Sequence, residues 1–304
     1  MLAGQERRED LKRCQRTRLR DASLARSAIG VLQALRHGSP TTADQERCPM
    51  NAPHIAALYR YPIKGMTPEP MTRVRLAAGG TMPHDRAYAI ENGPGRFDVD
   101  APRHLPKINF LMLMRNERLA SLEARFEDAT QTLTIFRAGR QVARGQLDTP
   151  LGRRLIEQFL AAFMKTDLRG APRIVSAAGH SFTDVAVKCL HVVNLASVRE
   201  LERVAGRPVE PLRFRANVHL DGLPAFAELG WVGREFQLGD VATRVIDRTV
   251  RCEATNVDPT TAARDMAIPA LLQRTWGRSD FGVYATVETA GEIAVGDTAN
   301  VPAS

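Results

Sequence analysis

Four short stretches hold the side chains best suited to chemistry. TVRCEATNVDP (249–259) places Cys252 directly after Arg251, with Asn-Val-Asp-Pro four residues on. A thiolate is the nucleophilic and metal-ligating form of cysteine, and an adjacent cation favours it. Asp258-Pro259 reads as a stiff turn that holds the end of a β-branched run in place. YPIKGM (61–66) puts Lys64 straight after a strand-like segment, HDRAY (84–88) supplies Arg86, and RFRANV (213–218) flanks Phe214 with Arg213 and Arg215 and ends near Asn217. Arginine offers a planar fork of donors for phosphate or carboxylate, lysine a point charge. A carboxamide both donates and accepts, so Asn217 suits either a ligand's ring edge or the tying of a loop. The plainer alternatives are a solvated strand-end charge for each cation and a small buried hydrophobe for Cys252.

Composition narrows the class. The chain has 304 residues, 44% hydrophobic and 25% charged, with net charge +8, which is ordinary for a soluble globular protein. Residues 1–49 carry ten Lys/Arg against six Asp/Glu, so half of the excess sits in that tail and the body is only mildly basic. No basic run marks a helix or face of the body, which argues against nucleic-acid binding. No stretch approaches the ~20 apolar residues of a membrane span. The four cysteines, Cys14, Cys48, Cys189 and Cys252, show no CxxC spacing, and only His191 lies close to one of them. A zinc site and a disulfide framework are therefore not expected, and a reducing, cytoplasmic setting is. Cys189, in the apolar run VKCLHVVN, reads as core.

These residues need elements to position them. Residues 1–49, Arg-rich and poor in aromatics, are expected to be a disordered extension, with the folded body starting at Met50. Residues 50–168 read as a β-barrel domain: HIAALYRYPIK, TRVRLAA, RAYAIEN, LASLEARFE, TLTIFRA and RQVARGQ are short apolar or alternating runs parted by turn residues. A helix follows, with Thr149 as N-cap, Pro150 at its first position and Leu155, Phe159 and Phe163 on one face. LRGAPRIVS reads as a linker. Residues 169–304 form a second β-rich domain holding a helix over NLASVRELERVAG, capped by Asn194 and closed by Gly206, and a short helix at IPALLQRTWG. The fold class is α+β, mainly β.

In this order and separation, the four stretches resemble the MOSC family, in which an N-terminal β-barrel domain precedes a MOSC domain, and in particular the amidoxime-reducing components and their bacterial counterparts. The resemblance covers roughly residues 54–301. It implies a molybdenum cofactor, molybdopterin, with Cys252 as thiolate ligand to the metal, consistent with the soft-ligand preference of a dithiolene-bound metal. It implies cofactor contacts at Lys64, Arg86, Thr183, Arg215, Asn217, Arg251 and Tyr284, and a catalytic Asp184 beside the metal; Tyr284 suits a core or interface aromatic equally well. Arg251 is the cation expected to favour the Cys252 thiolate.

The chain departs from the reductase pattern at Val185 and Gly65, where hydroxyl side chains are expected, at Ala216 in place of proline, and in TTAARD, which lacks a glycine. These changes leave the cofactor in place and unsettle the substrate. The implied activity is reduction of N-hydroxylated compounds. With no ferredoxin-like cysteine cluster and no dinucleotide fingerprint, the expected electron donor is a separate protein of Fe–S, cytochrome or flavoprotein type. The alternative is a cofactor carrier or sulfur-transfer module using a Cys252 persulfide.

Overall fold

The structure is a computed structural model that describes residues 52–93 and 95–302. The expected extension over residues 1–49, with Cys14 and Cys48, lies outside the described residues. Strands dominate, with three α-helices among the described residues.

In chain order the first part holds β1 (His54–Arg60), β2 (Glu69–Met71), β3 (Arg73–Leu76), β4 (Ala89–Asn92), β5 (Glu123–Glu127), β6 (Thr132–Arg137), β7 (Arg140–Gln146) and α1 (Pro150–Phe163). The second holds β8 (Pro172–Val175), β9 (Leu190–Asn194), α2 (Leu195–Ala205), β10 (Val218–Asp221), β11 (Glu235–Leu238), β12 (Val241–Val250), α3 (Ile268–Trp276), β13 (Asp280–Val287), β14 (Gly291–Ala294) and β15 (Ala299–Asn300).

An eight-stranded sheet in the order β15-β11-β12-β13-β9-β10-β1-β2 is the main platform. Its pairs are antiparallel except β10 with β9. The fully buried run LHVVN makes β9 a central strand between β13 and β10, as expected of a strand covered on both faces. The first strand among the described residues, β1, closes on β10 and so belongs to the sheet of the second half. Three small sheets complete the molecule: the meander β5-β6-β7 and the pairs β4-β8 and β3-β14.

Separate apolar clusters hold these layers. Ile55, Leu58, Leu190, Val192, Leu220 and Val245 are among the residues packing one face of the large sheet. On another cluster Val193 and Phe281 meet Val198 and Leu201 of α2 and Ile268 and Leu272 of α3. The meander and α1 share a third, through Phe126, Ile135, Ile156 and Leu160. Each such side chain contributes roughly 1.5–3 kcal/mol when fully buried.

The helix ends follow their sequence signals. The Thr149 hydroxyl accepts from Gly152 N at 3.1 Å, Asn194 Oδ1 accepts from Ala196 N at 3.0 Å, and Gly206 and Gly277 close α2 and α3 with φ of 67° and 66°. Two sequence expectations are corrected. The buried stripe of α1 is Gly152, Ile156 and Leu160, one position round from the expected face, and Leu155 is 46% exposed; the helix turns its glycine toward β7 because only a glycine lets the two backbones approach so closely. The expected linker LRGAPRIVS contains β8, which pairs with β4 from Asn92↔Pro172 to Ala89↔Val175. Proline fits there because it occupies the first position of a strand.

Candidate active site

One cleft, between the large sheet and the loops of the first half, is lined by all nine residues that the family resemblance implies for the site: Lys64, Arg86, Thr183, Asp184, Arg215, Asn217, Arg251, Cys252 and Tyr284. β12 ends at Val250 and delivers Arg251 and Cys252; a short 3-10 turn over Glu253–Asn256 follows. Asp258 then forms the expected turn. Its Oδ1 accepts from Thr260 N and Thr261 N, both at 2.8 Å, and its Oδ2 accepts from buried Arg213 at 2.8 Å. Arg213 is therefore a strut behind the cysteine loop, bridging Asp258 and Asp265.

Lys64 follows the end of β1 and is 6% exposed. Its Nζ donates to Asp184 Oδ1 at 2.5 Å and to Phe182 O at 2.8 Å. Burial presses the Lys64 ammonium below its ordinary value, with the Asp184 charge opposing the shift. Burial would raise the Asp184 carboxyl, but Lys64 and Lys107 together hold it well below the usual carboxylate range. Asp184 is thus an ionised acceptor at neutral pH. The Thr183 hydroxyl donates to Val185 O at 2.7 Å, so its hydrogen is spent on the chain and only its oxygen faces outward as an acceptor.

The arginines are held with unusual backbone geometry. Arg86 and Arg215 have φ of 48° and 54°, left-handed values that non-glycine residues adopt at a cost. Both guanidinium groups lie over the ring of buried Tyr61, their carbons 4.5 and 4.3 Å from its centroid. Arg86 pairs with buried Asp85 and donates to Arg215 O at 2.9 Å. Arg215 donates to Met66 O at 2.7 Å; burial lowers its value to about 10, which leaves it charged at neutral pH. Asn217 is spent as a tie: its Nδ2 donates to Tyr59 O and Asp85 Oδ1, and its Oδ1 accepts from His191 N and Arg86. Of the two roles open to it, its contacts are those of a tie.

The structure places a second cation at the cysteine, besides the expected Arg251. Arg251 makes no hydrogen bond to the sulfur; it donates to Phe214 O at 2.7 Å and meets His191 Nε2 at 3.2 Å, while its charge still interacts with Cys252. The nitrogen beside Cys252 Sγ, at 3.4 Å, is Lys107 Nζ, which also reaches Asp184 Oδ2 at 3.3 Å. Lys107, Tyr61 and His191 were not found in the sequence. Burial and the neighbouring Arg251 and Arg86 charges push His191 well down, so its ring is neutral and Nε2 accepts from Arg251. Tyr284 is half-buried, its ring 5.4 Å from that of His191. Cys189 is 3% exposed in the wall of the cleft, and burial raises its thiol to about 12.

The cleft's donors fit an anionic ligand with a soft metal. Arg215 and Arg251 have no carboxylate partner among the described residues. Arg251 Nε and Thr249 Oγ1, both on the lining, are buried with no hydrogen-bond partner. Fixed positive charge and unspent donors of this kind call for acceptor oxygens, and Cys252 adds a sulfur at the same wall.

Residues 52–171 match the MOSC N-terminal beta barrel domain and residues 179–300 match the MOSC domain. The chain belongs to the MOSC family. It is 30% identical over 118 residues to mitochondrial amidoxime-reducing component 1 of Mus musculus, covering 35% of this chain and 34% of that protein. It is 28% identical to the Homo sapiens protein of the same name, again over 35% of this chain and 34% of that one. It is also 23% identical to the molybdenum cofactor sulfurase of Caenorhabditis elegans over 78% of this chain and 34% of that protein. The chain thus spans about a third of the length of these relatives. Among solved structures, the YUAD protein from Bacillus subtilis is similar at 14% identity with a TM-score of 0.38, over 82% of this chain and 94% of that one. No helix among the described residues is long and apolar enough to cross a membrane.

Proposed function

We propose that the cleft holds molybdopterin-bound molybdenum, with Cys252 as the protein's ligand to the metal, and that the protein reduces N-hydroxylated compounds. The observation that carries this reading is the meeting, in one cleft, of a cysteine sulfur with Arg215 and Arg251, two half-buried cations lacking carboxylate partners among the described residues. Arg215 and Arg251, with Arg86 and Lys64, present the charge for the cofactor's phosphate and pterin oxygens. Tyr284, the Thr183 oxygen and the unspent Thr249 hydroxyl line the same walls. When bound, the group supplies two-electron oxygen-atom chemistry. Asp184 is ionised and locked between two ammonium groups, so it accepts a hydrogen bond from the substrate's N–H or O–H and orients it; it is too acidic to deliver a proton at neutral pH. The proposed electron donor is a separate protein of Fe–S, cytochrome or flavoprotein type.

Metal and pterin analysis of protein expressed in a cofactor-competent host tests the reading. Stoichiometric molybdenum and turnover of an amidoxime with reduced viologen are expected. Purified protein with neither would sink it, and brisk NADH oxidation by the single chain would sink the separate donor.

A second reading, a cofactor carrier or sulfur-transfer module, is favoured by two observations. Cys252 is half-exposed, and the similarity to a molybdenum cofactor sulfurase spans 78% of this chain. A cyanolysable persulfide on Cys252 without substrate reduction would select it.

A further inference from the structure

Lys107 belongs to an exposed loop of the first half, residues 98–109, and begins a 3-10 turn over Lys107–Asn109. The loop is pinned at both ends by aromatics: Phe97 and Phe110 pack on Phe182, with centroids 4.8 and 5.3 Å away. Phe182 lies two residues before Asp184, so one cluster fixes both the loop that carries Lys107 and the loop that carries the carboxylate. The Asp184 oxygens are divided between the lysines, Oδ1 to Lys64 and Oδ2 to Lys107. Of these two, only Lys107 also reaches the sulfur of Cys252, at 3.4 Å. Arg251, the neighbour in sequence, spends its hydrogen bonds on His191 and Phe214 and makes none to the sulfur.

We propose that Lys107 is a positioning residue of the centre: its ammonium joins the Cys252 sulfur to the Asp184 carboxylate and raises the reduction potential of a metal bound at that sulfur. This rests on the cofactor reading above. A positive donor on a ligating sulfur draws electron density from it and favours the more electron-rich state of the metal, the same means by which hydrogen bonds to sulfur and local charge tune other metal–sulfur centres. The geometry gives the role to Lys107 because the carboxylate that anchors its ammonium is itself held by buried Lys64.

The test is a potentiometric titration followed by the metal's paramagnetic resonance signal, with molybdenum and pterin content and melting temperature measured on the same samples. The variants are Lys107→Met, Lys107→Gln and Lys107→Arg. Arg103→Met removes a cation from the same exposed loop without touching the sulfur. The expected result is wild-type metal content throughout, a midpoint potential shifted downward in Lys107→Met and Lys107→Gln, restoration toward wild type in Lys107→Arg, and no shift in Arg103→Met. An unchanged potential in Lys107→Met or Lys107→Gln with metal retained overturns the inference and leaves the cofactor reading standing. Equal shifts in Arg103→Met overturn it as well, since the effect is then general charge. Loss of cofactor from both uncharged variants, with retention in Lys107→Arg, overturns it in favour of a purely holding role. A wild-type protein without molybdenum overturns the cofactor reading and this inference together, and the metal content identifies that case.

Discussion

Cys252 and Cys189 line the same cleft from opposite environments, one half-exposed at a loop and one buried in a wall. Cys252→Ser should keep the wild-type melting temperature and lose turnover, because a serine oxygen, protonated at neutral pH, does not replace a soft thiolate ligand. Cys189→Ser should retain turnover and lose about 1–3 kcal/mol of stability by placing a less readily buried hydroxyl at a 3% exposed position. Thermal melting, bound molybdenum and amidoxime reduction read both variants, and the reverse pattern would mean that the wrong cysteine was assigned. Removing the Arg86 side chain tests the arginine cradle. Asp85 is buried and pairs with Arg86, so Arg86→Ala strands a carboxylate and should cost about 3–5 kcal/mol in denaturant unfolding; a loss under 1 kcal/mol would show that Tyr61 N and Asn217 alone satisfy Asp85. Much of this site was legible in the sequence, because each of its pieces sits in a short stretch with a distinctive order of residue types. Lys107 was not. Its partner is 145 positions away, and a lysine after proline in an exposed loop carries no local mark.

At the scale of elements, α1 and β7 meet through glycine. A Cβ on Gly152 would lie 2.0 Å from Gln146 O, and one on Gly145 would lie 2.2 Å from Gly152 O. Gly152→Ala should therefore cost about 3 kcal/mol through forced separation of helix and strand, measured by chemical denaturation. An alanine variant within 0.5 kcal/mol of wild type would mean that the pair slides apart freely. The helix itself was readable from Thr149, Pro150 and its apolar period, and its orientation was not. Leu155, Phe159 and Phe163 form as good an apolar stripe as Ile156 and Leu160, and only the close approach of Gly152 to β7 decides between them. The strand β8 escaped detection because Pro172 opens a four-residue run that turn signals on both sides make look like a connection.

Across the whole molecule, Glu228 is a buried carboxyl that bears on global stability. It is fully buried and accepts from Ser197 at 2.9 Å and Asn194 at 3.2 Å, tying a loop to the first turn of α2. Burial pushes it up to about 7 from an ordinary 4.5. A raised acid favours the folded state while it is protonated in both states, and that advantage is lost as pH rises from about 4.5 through about 7. Stability should fall over that window by about 3 kcal/mol from this group. Glu228→Gln should flatten that part of the curve in melts run from pH 4.5 to 8, and an unchanged slope would place the charge elsewhere.

The seating of β1 beside β10 has a practical consequence for anyone cutting this gene into pieces. A fragment beginning at residue 169 keeps Cys252 and Asp184 but loses Lys64, Arg86 and Lys107. It also leaves β10 as a bare border where Leu58 pairs with Val218 and Ile55 with Leu220. An unpaired apolar border recruits other chains. Supplying residues 52–168 from a second plasmid should return the clone to the soluble fraction, whereas a peptide lacking residues 54–60 should not. The smallest heritable unit with a complete cleft is thus longer than either matched domain.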